Sequence, residues 1–138
     1  MQAKRILAVD LGDKRTGLAI GDTETRMAAP FERLENFTPE GLAVAIAAIV
    51  AREQIDLVVC GVPLHADGSV GPRAKITEKF IKLLEEASGK PVLRQDERLT
   101  SVDAEGRLAG HFTRKQKRRR VDALAAARIL QDYLDGMA

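Results

Sequence analysis

Two short apolar runs near the start of the chain, residues 6–11 and 16–21, predict a pair of β-strands. A turn rich in glycine and aspartate separates them, so we expect an antiparallel hairpin. The first run does not alternate with polar residues, which is typical of a strand that is covered on both faces. Asp10 is the exception within this run. A buried carboxylate needs a partner or a metal, so Asp10 either caps the turn by accepting backbone N–H bonds or serves a reaction.

The rest of the chain alternates extended and helical patterns. Residues 27–37 predict a third strand, and Pro30 places it at a sheet edge because proline cannot donate to the hydrogen-bond ladder. Thr38 is the predicted N-cap of a helix that ends near residue 53. Further strands are predicted at 55–62 and 92–94, and further helices at 72–88, at 100–109 and from residue 113 onward.

This order of elements predicts an α/β fold in a single domain, residues 1–138, because no linker or composition break divides the chain. Three antiparallel strands, followed by two strands reached through helical crossovers, form a mixed five-stranded sheet with helices packed on it. Right-handed crossovers place the fourth and fifth strands beside the first and parallel to it. The carboxyl ends of these three strands then meet at one edge, where ligands bind in α/β sheets.

Composition predicts a soluble globular protein: 45% of the 138 residues are apolar, and no run approaches the ~20 residues that span a bilayer. No signal peptide fits before the first strand, and a lone Cys60 suits a reducing compartment, so we expect a cytoplasmic protein that does not enter membranes. Cys60 lies in an apolar strand, which indicates a buried, unreactive thiol. His65 and His111 lack the neighbours of a zinc site, and we assign no metal role to either.

Basic residues are concentrated in one segment although the net charge is only +2. Six of the seven residues at 114–120 are lysine or arginine, a density that suits a phosphate backbone; the alternative is a solvated helix face. An aromatic content of 4% argues against binding of single strands by base stacking. The predicted phosphate contacts are Lys14, Arg15, Arg98, Arg114, Lys115, Lys117, Arg118, Arg119 and Arg120.

Three carboxylates are predicted to meet at the edge formed by the strand ends. Asp10 ends the first strand and Glu97 follows the fifth. Asp122 precedes Ala126 by four residues, on the sheet-facing stripe of the last helix. Each acid also has a structural interpretation: Asp122 can pair with Arg118 within its helix, and Glu97 can be an exposed loop residue.

Clustered carboxylates without a buried base repel one another, and a divalent cation relieves the repulsion. Oxygen ligands favour Mg²⁺ or Mn²⁺ over zinc. Such a site suits phosphodiester hydrolysis, in which two ions activate a water and neutralise the leaving oxygen. We therefore predict a metal-dependent nuclease with Asp10, Glu97 and Asp122 as catalytic residues and metal ligands. The alternatives are a nucleic-acid-binding module without cleavage and a phosphotransferase, which would need a second domain that 138 residues cannot supply.

Several segments, in order along the whole chain, resemble the YqgF family. They are VDLGDKRTGLA at 9–19, GVP at 61–63, DGS at 67–69, DERLTS at 96–101 and VDALAAARILQ at 121–131. The resemblance implies a ribonuclease H-like fold with a metal-dependent nuclease site that maps onto Asp10, Glu97 and Asp122. It also implies a function in maturation of the 5′ end of pre-16S ribosomal RNA, with structured RNA or ribosomal precursor particles as partners. The alternative is resolution of Holliday junctions in branched DNA.

The resemblance leaves two features of the nuclease open. Resolvases of the RuvC type present four acids, and a fourth acid here would come from Asp13, Asp96 or Asp103. A monomer would suit trimming of an RNA end, whereas a homodimer would suit a two-fold junction.

Overall fold

A computed structural model describes residues 3–64, 68–97 and 114–137, with side chains in the last range described from residue 123 onward. The predicted helix at 100–109 lies outside these residues. The fifth strand extends two residues beyond its predicted end, and the other described elements lie close to their predicted ranges. The elements are β1 (Arg5–Leu11), β2 (Arg15–Asp22), β3 (Ala28–Glu35), α1 (Pro39–Arg52), β4 (Leu57–Val62), α2 (Pro72–Ser88), β5 (Val92–Asp96) and α3 (Arg114–Asp135).

The strands form one five-stranded sheet in the order β3-β2-β1-β4-β5. β2 pairs antiparallel with both β1 and β3, whereas β4 pairs parallel with both β1 and β5. β1 is therefore the central strand, and β3, which contains Pro30, is an edge strand. The predicted mixed sheet is confirmed, including the position of the fourth and fifth strands beside the first.

Local sequence signals define the helix ends. The Thr38 hydroxyl oxygen accepts a hydrogen bond from the Gly41 backbone N–H at 3.0 Å, and proline follows at the first position of α1. Proline also begins α2, and Gly89 ends it in the left-handed conformation with φ of 69°. No helix within the described parts of the chain is both long enough and apolar enough to cross a membrane.

The sheet is covered by helices on both faces, and the two faces differ in side-chain size. On one face, which we call the α1–α2 face, alternate strand residues pack with the buried stripes of α1 and α2. The opposite face, called the α3 face, packs against α3. Its buried residues include Ile6, Ala8, Ala19, Leu57, Val59, Ala126, Ala127, Ile129, Leu130 and Leu134.

Candidate functional site

Asp10 lies near the carboxyl end of the central strand and is partly buried. Its neighbour Val9 packs into the core of the α1–α2 face, whereas Ala8 packs on the α3 face. Because successive side chains of a strand point to opposite faces, Asp10 belongs to the α3 face. The carboxylate thus extends the apolar row formed by Ile6 and Ala8 toward the end of the strand.

Glycines stand next to Asp10 on both neighbouring strands. Asp10 pairs with Gly17 of β2. One position beyond the pair formed by Val9 and Cys60, it comes level with Gly61 of β4. No side chain from either adjacent strand therefore flanks Asp10 in its own row.

Glu97 follows β5 and is only 7% exposed. Its backbone N–H donates to the Val62 carbonyl at 3.1 Å, which continues the β4–β5 pairing by one residue. A Cβ atom built on Gly61 would lie 3.3 Å from Glu97 Cγ and 2.5 Å from Ile129 Cδ1. Glu97 therefore packs over Gly61 beside α3, and its interpretation as an exposed loop residue is wrong.

These contacts place two of the three predicted acids around one glycine. Asp10 is level with Gly61 in the sheet, and the Glu97 side chain packs over the same residue. Both acids belong to the α3 face. The missing Cβ of Gly61 is what leaves space for Glu97 and for Ile129 of α3.

The direction of α3 brings its first half toward this end of the sheet. Near the far end of the helix, the Gln131 side chain accepts a hydrogen bond from Ala28 N–H at 3.1 Å and donates to the Arg26 carbonyl at 2.9 Å. Those partners lie at the opposite end of the sheet from Asp10. Asp122 lies within α3, seven residues or about 10 Å before Ile129. Its side chain is outside the described residues.

The donor set suits a hard divalent cation. Carboxylate oxygens are the ligands that Mg²⁺ and Mn²⁺ prefer, and Asp10 and Glu97 provide two such groups. Among the described side chains, no group of three His, Cys, Asp or Glu residues could hold a metal ion. A third protein ligand would therefore have to come from a side chain such as that of Asp122.

Cys60 is buried, as predicted, and faces away from the acids. Burial is the main reason why the pKa of this thiol is raised to about 12, and the nearby negative charge of Asp10 adds to the effect. A thiol with this pKa is not a nucleophile at neutral pH.

The other acids considered for a fourth ligand are placed differently. Asp13 lies at the tip of the first hairpin, where its carboxylate, 77% exposed, pairs with Arg73 at 2.7 Å. Asp96 is exposed and pairs with Val62, whose side chain packs on the α1–α2 face. Alternation therefore assigns Asp96 to the face opposite Glu97. Asp103 lies outside the described residues.

The predicted phosphate contacts are only partly described. Lys14 is exposed at the hairpin tip. Arg15 is partly engaged, because its Nε lies 3.8 Å from a carboxylate oxygen of Glu35. The basic block at 114–120 forms the first turns of α3, but its side chains, like Arg98, lie outside the described residues.

Sequence reasoning missed Arg33 of β3. This arginine has a side chain that is only 6% exposed, and its Nη2 lies 3.1 Å from Glu35 Oε1. The pairing of β2 with β3 aligns Arg33 with Gly17, and therefore with the row of Asp10. A single strand's pattern does not contain this cross-strand alignment, so no signal in the sequence singled out Arg33.

A family model described as "RuvX: Holliday junction resolvase" matches residues 4–136. The chain belongs to the RuvX family. RuvX is another name for the YqgF family, so this membership confirms the family inferred from the sequence motifs. It also agrees with the predicted nuclease class. A protein named "Putative pre-16S rRNA nuclease" from Chloroflexus aggregans is 40% identical over 136 residues, covering 98% of this chain and 96% of the relative. An identically named protein of Anaeromyxobacter sp. is 42% identical over 133 residues, covering 96% and 97%.

Solved structures of resolvases share the fold of this RuvX-family chain. Thermus thermophilus RuvC in complex with a Holliday junction substrate superimposes with a TM-score of 0.55 at 14% identity, covering 95% of this chain and 93% of RuvC. The fowlpox virus Holliday junction resolvase gives a TM-score of 0.55 at 18% identity, covering 96% and 99%. These similarities confirm the predicted ribonuclease H-like α/β fold class.

Proposed function

We propose that this RuvX-family chain is a metal-dependent nuclease in which Asp10, Glu97 and Asp122 hold Mg²⁺ or Mn²⁺ for phosphodiester hydrolysis. One domain, residues 1–138, would carry the whole activity. The observation that supports the proposal most strongly is the packing of Glu97 over Gly61, level with Asp10 on the α3 face. Two carboxylates from distant segments would not converge on one glycine for packing alone, because burial of charge is costly.

The protein's contribution to this reaction is a rigid set of ligands. Asp10 pairs with Gly17 of β2 and directly follows the last pair between β1 and β4, Val9 with Cys60. Glu97 is fixed by its backbone bond to Val62 and by packing beside α3. Preorganised ligands need no rearrangement when charge develops in the transition state. When bound, the metal would supply activation of the attacking water and neutralisation of the leaving oxygen.

The basic residues would hold the substrate beside these acids. Lys14 is exposed at the tip of the hairpin that follows Asp10, and the block at 114–120 begins the helix that contains Asp122. Contacts of this kind to phosphates position a nucleic acid without reading its sequence. Binding should therefore weaken steeply as salt concentration rises.

We propose that the substrate is the 5′ end of pre-16S ribosomal RNA, in the cytoplasm and in contact with ribosomal precursor particles. The names of relatives at about 40% identity support this choice. Resolution of a Holliday junction is the second candidate, favoured by the description of the family model and by the fold shared with RuvC. The first substrate would suit a monomer and the second a homodimer.

A side-by-side cleavage assay separates these functions. The protein would be incubated with a 5′-extended 16S precursor RNA and with a four-way DNA junction, each in Mg²⁺, in Mn²⁺ and in chelator. We expect metal-dependent cleavage of the RNA and loss of cleavage in Asp10→Asn, which removes one ligand charge at constant shape.

Four results would contradict parts of the proposal. Cleavage that persists in chelator, or equal cleavage by Asp10→Asn and wild type, would reject the metal site. Cleavage of the junction alone would favour the resolvase. Binding of either substrate without cleavage in any metal would indicate a nucleic-acid-binding module.

A further inference from the structure

Arg73 joins the start of α2 to the hairpin that carries Asp10. Its Nη1 donates to Asp13 Oδ1 at 2.7 Å, and its Nη2 donates to the Leu11 carbonyl at 3.4 Å. Leu11 directly follows Asp10 and is the last residue of β1. One guanidinium therefore bonds both to the backbone at the end of β1 and to a side chain of the turn that follows.

These two bonds lie where the strand pairing of β1 is one-sided. Toward β2, the pairing continues as far as Leu11 and Thr16. Toward β4, the last pair is Val9 with Cys60. Asp10 therefore lies on the short end of β1 that pairs with β2 alone. Strand ends with less pairing open more readily, so an additional contact at this end restrains the residues beside it.

The first turn of α2 is a firm base for Arg73. The Arg73 carbonyl accepts a hydrogen bond from Thr77 Oγ1 at 3.0 Å, and Thr77 is buried. The next residue, Ala74, is buried in the core of the α1–α2 face. Because this face is opposite the one that carries Asp10, Arg73 acts on the carboxylate through the backbone of β1.

The turn between β1 and β2 is tight, which allows the restraint to reach the strand end. A Cβ atom built on Gly12 would overlap the Arg15 carbonyl, so the two sides of the turn are in close contact. A restraint on Leu11 and Asp13 therefore limits the movement of the whole turn.

The ion pair itself contributes little to overall stability. The side chains of Arg73 and Asp13 are 50% and 77% exposed, and exposed ion pairs contribute little to the free energy of unfolding. The main consequence of the two bonds is thus local: they limit the freedom of the residues that directly follow Asp10.

We propose that Arg73 is a positioning residue for Asp10. By bonding to Leu11 and Asp13, it fixes the end of β1 and so holds the Asp10 carboxylate in place for the metal. This role rests on the proposed function only in treating Asp10 as a metal ligand. The restraint on the hairpin exists in the metal-free protein.

The same strand offers a matched control at its opposite end. Arg5, the first residue of β1, donates through Nε to the Glu53 carbonyl at 2.8 Å and through Nη2 to Glu53 Oε1 at 3.4 Å. Its side chain is 44% exposed, close to the value for Arg73. Arg5→Gln therefore removes the same kinds of bond and the same charge from β1, but roughly 16 Å from Asp10 along the strand.

Amide hydrogen exchange in chelator tests the restraint without metal and without activity. In Arg73→Gln, we expect the amides of residues 11–16 to exchange roughly two- to fivefold faster than in wild type, the size of effect that loss of an exposed ion pair has on local opening. In Arg5→Gln, the same amides should exchange as in wild type. Unchanged exchange in Arg73→Gln, or equal acceleration in both variants, would overturn the proposal.

Titration with Mn²⁺ shows whether the restraint acts on Asp10. We expect Mn²⁺ to bind roughly three- to fivefold more weakly in Arg73→Gln, because only the restrained hairpin places the carboxylate for the metal. Binding should also weaken in Arg73→Lys, which keeps the charge but lacks the planar fork that reaches both oxygen atoms. Arg5→Gln should bind as wild type does. The sign is diagnostic, because removal of a nearby cation would by itself tighten the binding of Mn²⁺.

The outcomes separate the role of Arg73 from the proposed function. Unchanged or tighter Mn²⁺ binding in Arg73→Gln, with binding that depends on Asp10, would reject the role of Arg73 alone. If RNA binding weakens in that case, Arg73 is a phosphate contact instead. Equal Mn²⁺ binding by Asp10→Asn and wild type would reject the metal site, and the exchange experiment would then judge the restraint by itself.

Discussion

The two faces of the sheet are built from alternate residues of the same strands, yet they serve different purposes. On the α1–α2 face, large aliphatic side chains such as Leu7, Val9 and Leu18 meet buried residues of two helices. On the α3 face, the residues between them are small near the strand ends, and there they give way to Asp10 and Glu97. In β1, alternation thus directs Leu7 and Val9 into the larger core and Asp10 to the face that carries the proposed site.

The same division explains the small residues of the α3 face. Large side chains next to Asp10 would exclude ligands, and large side chains under α3 would hold the helix away from the sheet. Gly17 and Gly61 beside Asp10, and Ala126 on the helix, allow a close approach. Glycine and alanine therefore leave space around the acids on the α3 face. The larger hydrophobic core lies on the α1–α2 face.

The largest contrast is expected between two adjacent acids. Glu97→Gln should reduce cleavage at least roughly a hundredfold, because it removes the buried charge of a proposed metal ligand from the α3 face. Asp96→Asn, one residue earlier and on the other face, should cleave almost as well as wild type. Initial rates of RNA cleavage at saturating Mg²⁺ measure both. Equal losses in the two variants would contradict the division between the faces.

An intermediate effect is expected from filling the space beside Asp10. In Gly61→Ala, the added methyl group would overlap Ile129 Cδ1, which is 2.5 Å away, and would crowd Glu97 Cγ at 3.3 Å. We expect a loss of about 1–3 kcal/mol in the free energy of unfolding together with impaired cleavage. Chemical denaturation measures the first effect.

The compensating change is Ile129→Val on the helix, which removes the methyl group that the new side chain would meet. The double variant Gly61→Ala with Ile129→Val should regain much of the stability. If Gly61→Ala alone is as stable as wild type, Ile129 of α3 does not pack closely over Gly61.

The smallest effect is expected on the α1–α2 face, at Cys60. Its pKa is raised to about 12 by burial, from an ordinary value of 9.0. Above pH 9 the unfolded chain loses the thiol proton while the folded chain keeps it, so stability falls as pH rises toward 12. One unit above pH 9.0 this amounts to about 1 kcal/mol.

Cys60→Ala lacks this titration, so wild type should lose more stability than the variant between pH 8 and pH 10. Parallel denaturation curves at the two pH values measure the difference. An identical loss in both proteins would show that the thiol titrates normally in the folded state. At neutral pH, Cys60→Ala should leave cleavage nearly unchanged, in contrast to the substitutions on the α3 face.

Much of the fold could be predicted from the sequence because its signals are local. Proline at the start and glycine after the end fixed the limits of α2, and right-handed crossovers placed β1 at the centre. The end of β5 was predicted too early, because Gln95 and Asp96 are polar and their strand pairing with β4 is not visible in the pattern.

The candidate site could be predicted only in part because its geometry depends on strand register. Asp10 interrupts an apolar run and was evident from the sequence. The burial of Glu97 was not evident from the sequence, because Glu97 lies between polar residues. Its burial depends on the missing side chain of Gly61. The alignment of Arg33 with Gly17 follows a register shift between Leu18 and Ala19, and no one-strand pattern contains such a shift.

The most direct test of the central claim is a crystal structure of the protein soaked with Mn²⁺, with anomalous differences recorded at the manganese edge. The account predicts a peak on the α3 face, bonded to carboxylate oxygens of both Asp10 and Glu97. A peak at the exposed Asp13 instead, or a fully occupied manganese site bonded to neither Asp10 nor Glu97, would contradict this account.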